Sequence, residues 1–100
     1  KIVVVLGHTE CGAIKGACNH LKMGHLTGLL DKISVVINET DEAKIADKSQ
    51  YYDSVSKANV KNVLKQIQEK SPIINELIAN EKIILVGAMY DISSGVVEFY

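Results

Sequence analysis

The chain has 100 residues, with eleven lysines, no arginine, twelve acidic residues and a formal net charge of -1, which is room for one domain around a single core. At 47% hydrophobic and 23% charged residues the usage is that of a globular fold and excludes a disordered or coiled-coil chain. The near balance of charge leaves no electrostatic footprint for nucleic acid or an anionic membrane.

In chain order, Lys1 to Leu6 is a continuous, valine-rich apolar run ending at Gly7, the pattern of a strand buried on both faces in a parallel sheet. With no initiator methionine before it, that opening reads as a cut close to a strand. A helix is expected from about Gly12 to Met23, with Ala13, Ile14, Ala17, Cys18 and Leu21 at spacings of three and four and Gly24 as the stop. Leu26 to Val36 reads as one or two helical turns broken by Gly28. Asn38 to Ser56 is polar and reads as a solvated connection. From about Ser54 to Lys70 the stripe Val60, Val63, Leu64, Ile67 predicts a longer helix. Ser71 and Pro72 then cap and start a shorter one carrying Ile73, Ile74, Leu77 and Ile78, with Asn80 as terminator. Lys82 to Met89 is a second buried-type strand, Asp91 to Gly95 a turn, and Val96, Val97 and Phe99 a final strand. Strand, helices, strand in this order predicts an α/β architecture with a parallel pair and a right-handed crossover.

The stretch most informative about chemistry runs from Val5 to Ile14. It sets His8 and Cys11 three residues apart, at the carboxyl end of a strand and the start of a helix, the edge at which open α/β sheets bind ligands. Imidazole nitrogen and thiolate are both zinc ligands, and a tight turn lets two such groups converge. Two ligands alone do not make a tetrahedral site. Rival motifs fail on particular residues. In a phosphate loop running from Gly7 to Gly12, Ala13 and Ile14 replace the lysine and the hydroxyl residue, and Thr9 replaces the second glycine of a dinucleotide fingerprint. A cysteine phosphatase needs an arginine, which the chain lacks. Cys11 as nucleophile with His8 as base stays open, without a third orienting group.

Bland readings stand beside these. A strand-end histidine is commonly a hydrogen-bonded core residue. Cys18 lies about 10 Å along a helix from Cys11 and reads as a small packed hydrophobe. His20 and His25 read as surface residues, Asp91 as a turn residue bonding its own backbone, and Tyr51 and Tyr52 as exposed aromatics available to a partner.

Four blocks carry a resemblance that covers nearly the whole chain: His8 to Ile14, Asn59-Val60, Ser71-Pro72-Ile73-Ile74, and Gly87 to Val97. In order and spacing they resemble the carboxyl-terminal half of a β-class carbonic anhydrase. The resemblance implies a single partial domain over residues 1–100. Its fold would be a three-layer, Rossmann-like α/β fold with a mostly parallel sheet and a final strand free to run antiparallel. It also implies zinc, with His8 and Cys11 as ligands, and reversible hydration of carbon dioxide to bicarbonate by a hydroxide formed on the metal. The family's C-x-D-S-R block, which brings a further zinc cysteine and an Asp-Arg pair, is not in these 100 residues. The isolated chain is therefore expected to bind zinc weakly and to lack activity, with catalytic residues beyond the two ligands unknown.

The expected partners are carbon dioxide and bicarbonate, a second copy in a homodimer or higher oligomer, or the missing amino-terminal half, with no nucleic acid and no membrane contact. No apolar run approaches the roughly 20 residues that span a bilayer. Cys11 and Cys18 are too few and too close for a secreted disulfide scaffold, so a reducing, cytoplasmic setting is expected. Two alternatives remain: the cytoplasmic domain of a sulfate-permease-type anion transporter, which long apolar runs upstream of Lys1 would reveal, and a non-catalytic interaction module, which would fold without His8 and Cys11.

Overall fold

The computed structural model describes residues 1–22, 24–37 and 47–100. Strand β1 (Ile2–His8) leads into the short helix α1 (Gly12–Cys18) and then α2 (Leu26–Ile37), followed by the long α3 (Lys48–Lys70) and α4 (Pro72–Ala79), and by strands β2 (Ile84–Tyr90) and β3 (Val97–Phe99). The three strands form one sheet in the order β1-β2-β3. β1 and β2 run parallel over seven residue pairs, from Ile2 opposite Ile84 to His8 opposite Tyr90. β3 closes the sheet antiparallel, with Phe99 opposite Ala88 and Val97 opposite Tyr90. The architecture is thus α/β with a small mixed, mostly parallel sheet, as the element order predicts.

Helix α3 lies across one face of this sheet, and glycines make its approach possible. A Cβ added at Gly7 would stand 2.8 Å from Val60 Cγ2, and one at Gly87 2.9 Å from Val60 Cγ1. Neither strand could carry a larger residue there without displacing the helix. The same alternation puts Ile2, Val4 and Leu6 of β1 on the opposite face with Ile84 of β2 and Phe99 of β3. That face is open: Ile2 is 63%, Leu6 54% and Phe99 62% exposed. The expectation of a strand buried on both faces is therefore corrected. β1 has a hydrogen-bonded neighbour on one side only among the described residues.

Three helical boundaries also differ from expectation. α1 stops at Cys18, not Met23, because His20 rather than Gly24 takes the left-handed conformation that ends it (φ 55°). The amide of Leu21 then bonds the Gly16 carbonyl at 2.9 Å and that of His20 the Ala17 carbonyl at 3.1 Å, the paired bonds of a Schellman close. α2 runs unbroken through Gly28. Leu30, Ile33 and Val36 are buried at intervals of three, and burying each such side chain is worth about 1.5–3 kcal/mol, more than the ~1 kcal/mol a helical glycine costs. α3 starts at Lys48, six residues before Ser54, because Asp47 accepts from the Ser49 amide at 2.9 Å as its N-cap. Tyr51, expected to face outward, is 4% exposed and joins Ile14, Ala17, Leu30, Ile33, Val36 and Val55 in the core. The first part of the polar connection, 38–46, lies outside the described residues.

α4 follows expectation closely, with Ser71 Oγ accepting from the Ile74 amide, Pro72 in the first turn and Asn80 as C-cap. No helix among the described residues is long and apolar enough to cross a membrane.

Candidate functional site

The parallel ladder delivers His8 to the carboxyl end of β1, beside the end of β2 at Tyr90. From there the chain turns sharply into α1. Glu10 makes the turn by adopting φ 58°, a left-handed conformation that costs a non-glycine residue about 1–2 kcal/mol. Cys11 follows in extended conformation as the N-cap of α1, and its sulfur caps no backbone amide. His8 is exposed and Cys11 half-buried, so His8 is not the hydrogen-bonded core residue of the bland reading. The two side chains border one cavity of about 210 Å3 between β1, α1, α2 and α3, whose walls are mainly apolar (Leu6, Ile14, Leu29, Val60), with Ser56 and Asn59 as polar exceptions.

The turn between them is held from three directions. The Thr9 amide donates to the Tyr90 carbonyl at 3.0 Å, extending the β1-β2 ladder by one bond. Thr9 Oγ1 accepts from the Ile92 amide at 3.1 Å, tying this turn to the one after β2. On the α3 side, the Asp53 carboxylate lies near the Glu10 amide and lines one cavity with Thr9. Burial, then the like charges of Glu10 and Asp91, push the Asp53 carboxyl above its ordinary 3.8, with Lys57 opposing. Glu10 also pairs with Lys15 of α1 at 2.9 Å, and that hydrogen bond and charge raise the lysine's pKa. The turn after β2 is itself an Asx turn, as expected, with Asp91 Oδ1 accepting from the Ser93 amide at 2.9 Å and the Ser93 hydroxyl at 2.7 Å.

The donors suit zinc in kind. His8 Nδ1 sits 2.8 Å from the Thr9 carbonyl. The tautomer that donates there keeps the Nε2 lone pair for a metal, as ligating histidines commonly do. Cys11 adds a free thiol. Their number falls short, because among the described residues no group of three His, Cys, Asp or Glu side chains could hold an ion. His20 and His25 are exposed, while Cys18 packs half-buried against the core. Sequence reasoning missed Asp53, which falls in the stretch read as a solvated connection; the Asp47-Lys48-Ser49 cap was the signal that α3 starts early enough to present it.

The carbonic anhydrase family model matches residues 1–97. No curated protein matches the chain in sequence. Among solved structures, a tetrameric β-carbonic anhydrase of the filamentous ascomycete Sordaria macrospora superposes with a TM-score of 0.89 at 26% identity, over 99% of this chain and 51% of that one. The β-carbonic anhydrase CafA of the fungal pathogen Aspergillus fumigatus gives 0.86 at 25% identity, over 100% of this chain and 48% of that one. The chain thus spans about half the length of these structures. On this match and this fold, the chain belongs to the carbonic anhydrase family, in its β class.

Proposed function

We propose that this chain is the carboxyl-terminal portion of a single β-carbonic anhydrase domain and contributes His8 and Cys11 as two of the protein ligands of a catalytic zinc. The observation that carries this reading is that His8 and Cys11 line one cavity on either side of a left-handed Glu10 turn tied to β2 and to the turn after it. When bound, zinc supplies a Lewis acid that lowers the pKa of a water towards 7 and so makes a nucleophile for carbon dioxide. The chain's own part is to orient His8 through the Thr9 carbonyl, to present Cys11 at the head of α1, and to border the pair with the mainly apolar walls of one cavity. A third protein ligand and the family's Asp-Arg pair must come from outside these 100 residues, which hold no arginine.

The substrate pair is then carbon dioxide and bicarbonate. Two cysteines not joined in a disulfide and a near-balanced charge support a cytoplasmic setting. The Sordaria relative is tetrameric, and the open apolar sheet face supports a homo-oligomer or pairing with the rest of the fold for this chain too.

Stopped-flow hydration with added zinc tests the reading. The isolated chain should bind zinc weakly and run at the buffer rate. Activity well above buffer that His8→Ala abolishes would overturn the requirement for outside residues.

A further inference from the structure

The turn that joins the two proposed ligands contains a residue that ought not to be there. Glu10 occupies a left-handed conformation (φ 58°) that glycine adopts without penalty and other residues avoid. Such outliers persist only where surrounding contacts over-determine them, and they gather at functional sites. Here the contacts can be named. Thr9 is held through its amide by β2 (Tyr90 carbonyl, 3.0 Å) and through its hydroxyl by the turn after β2 (Ile92 amide, 3.1 Å). The Asp53 carboxylate of α3 lies near the Glu10 amide and lines one cavity with Thr9, and the Glu10 carboxylate pairs with Lys15 of α1 at 2.9 Å. Two elements distant in sequence, α3 and the end of β2 with the turn after it, and the adjacent α1 thus surround two consecutive residues, and those two are the whole span between His8 and Cys11.

We infer that Thr9 and Asp53 are positioning residues for the His8 and Cys11 pair, holding the left-handed Glu10 so that imidazole and thiol face one point before any metal arrives. This rests on the metal reading above and adds to it the residues that set its geometry. Outer contacts of this kind typically change metal affinity 10–100-fold when removed. The Thr9 hydroxyl bond lies at the surface, so its loss exposes the Ile92 amide to water and leaves the fold nearly intact. Affinity and stability should therefore separate.

The probe is Co2+, titrated into the full chain and followed by its thiolate charge-transfer absorption, with thermal unfolding of each metal-free variant alongside. Thr9→Val and Asp53→Ala should each weaken Co2+ binding by about tenfold and alter the band, with no matching fall in unfolding midpoint. Thr9→Ser and Asp53→Asn keep the hydroxyl and an acceptor oxygen, and should restore both affinity and band. His8→Ala and Cys11→Ala should abolish the band. If these last two abolish it while Thr9→Val and Asp53→Ala bind as wild type, the positioning roles are overturned and the metal reading stands. Affinity lost only in proportion to the unfolding midpoint overturns them as well. Co2+ bound equally well without His8 or Cys11 overturns the metal reading, and the inference with it.

Discussion

Substituting Gly87→Ala tests how tightly α3 is seated on the sheet. A Cβ at that position would lie 2.8 Å from Leu64 Cδ1, 2.9 Å from Val60 Cγ1 and 3.1 Å from Tyr100 Cδ2. Carbon pairs rest at about 3.5–4.0 Å, so the nearest contact is about 0.7 Å too short. Overpacking on this scale costs about 1–3 kcal/mol, against which alanine recovers about 0.4–1 kcal/mol by restricting the unfolded chain. The net loss of about 1–2 kcal/mol corresponds to a fall of about 4–16 °C in the unfolding midpoint for a domain of this size. Gly28→Ala gives the opposite sign. Nothing lies within 4 Å of its Cβ, and a helical Gly→Ala change stabilises by about 0.5–1 kcal/mol. Val60→Ala closes the cycle, since Val60 faces both Gly7 and Gly87. In the Gly87→Ala background it should cost at least about 0.5 kcal/mol less than in wild type. Thermal and urea unfolding of the four proteins measures this. A Gly87→Ala midpoint at or above that of wild type, or strict additivity with Val60→Ala, would refute the seating.

Other expectations can be checked by the same means. Ser71→Ala removes the oxygen that accepts from the Ile74 amide and should lower stability by about 1 kcal/mol, while Ser71→Asp should retain it. Asp53 titrates above its ordinary 3.8, chiefly through burial; the folded state then holds the proton more tightly than the unfolded one, so ionisation erodes stability as pH rises past about 4. Asp53→Asn should accordingly raise the unfolding midpoint at pH 7 and leave it unchanged near pH 3; equal shifts at both values would contradict this. Asp91 has the reverse sign. Its carboxylate is held below 3.8 first by the Ser93 hydroxyl and then by the Ser93 amide, so the turn's contribution is present above that value and fades in acid, visible as loss of amide protection at Ser93. Leu6→Lys on the open sheet face should shift a concentration series in size-exclusion chromatography towards the monomer. A wild-type chain monomeric at every concentration would count against self-association.

What could be read from the sequence divides along a physical line. Patterns complete within a few residues were legible: the parallel pair from its apolar runs, the Ser71-Pro72 start of α4, the Asp91 turn and the His8 to Cys11 block. Features decided by distant packing were not. Gly28 looks like a break until α2 is seen burying Leu30, Ile33 and Val36. Tyr51 looks exposed until α3 is known to begin at Lys48 and lay it on α1 and α2. His20 and Glu81 (φ 57°) end helices in a conformation sequence rules assign to glycine, with the paired main-chain bonds of the Schellman closes offsetting the cost. The grip on Thr9 and Glu10 was hidden for the same reason, since Asp53 and Ile92 lie far along the chain from them.

The open edge and the open face of the sheet meet at β1. Its ladder with β2 fixes His8 on one side, while its other edge carries no strand among the described residues and its outer face shows Ile2, Val4 and Leu6 to water. An unpaired, uncharged edge next to an apolar face invites strand addition. A strand arriving there would run beside β1 and bring its own carboxyl or amino end level with His8 and Cys11. Pairing the open edge and bringing further side chains level with His8 and Cys11 would therefore be one geometric event, whereas the apolar face needs its own cover. The grip of α3, α1 and β2 on the Thr9-Glu10 turn involves neither that face nor that edge. Geometry on the His8 and Cys11 side can thus be set independently of any strand added at that edge, as the proposed positioning by the Thr9-Glu10 turn requires.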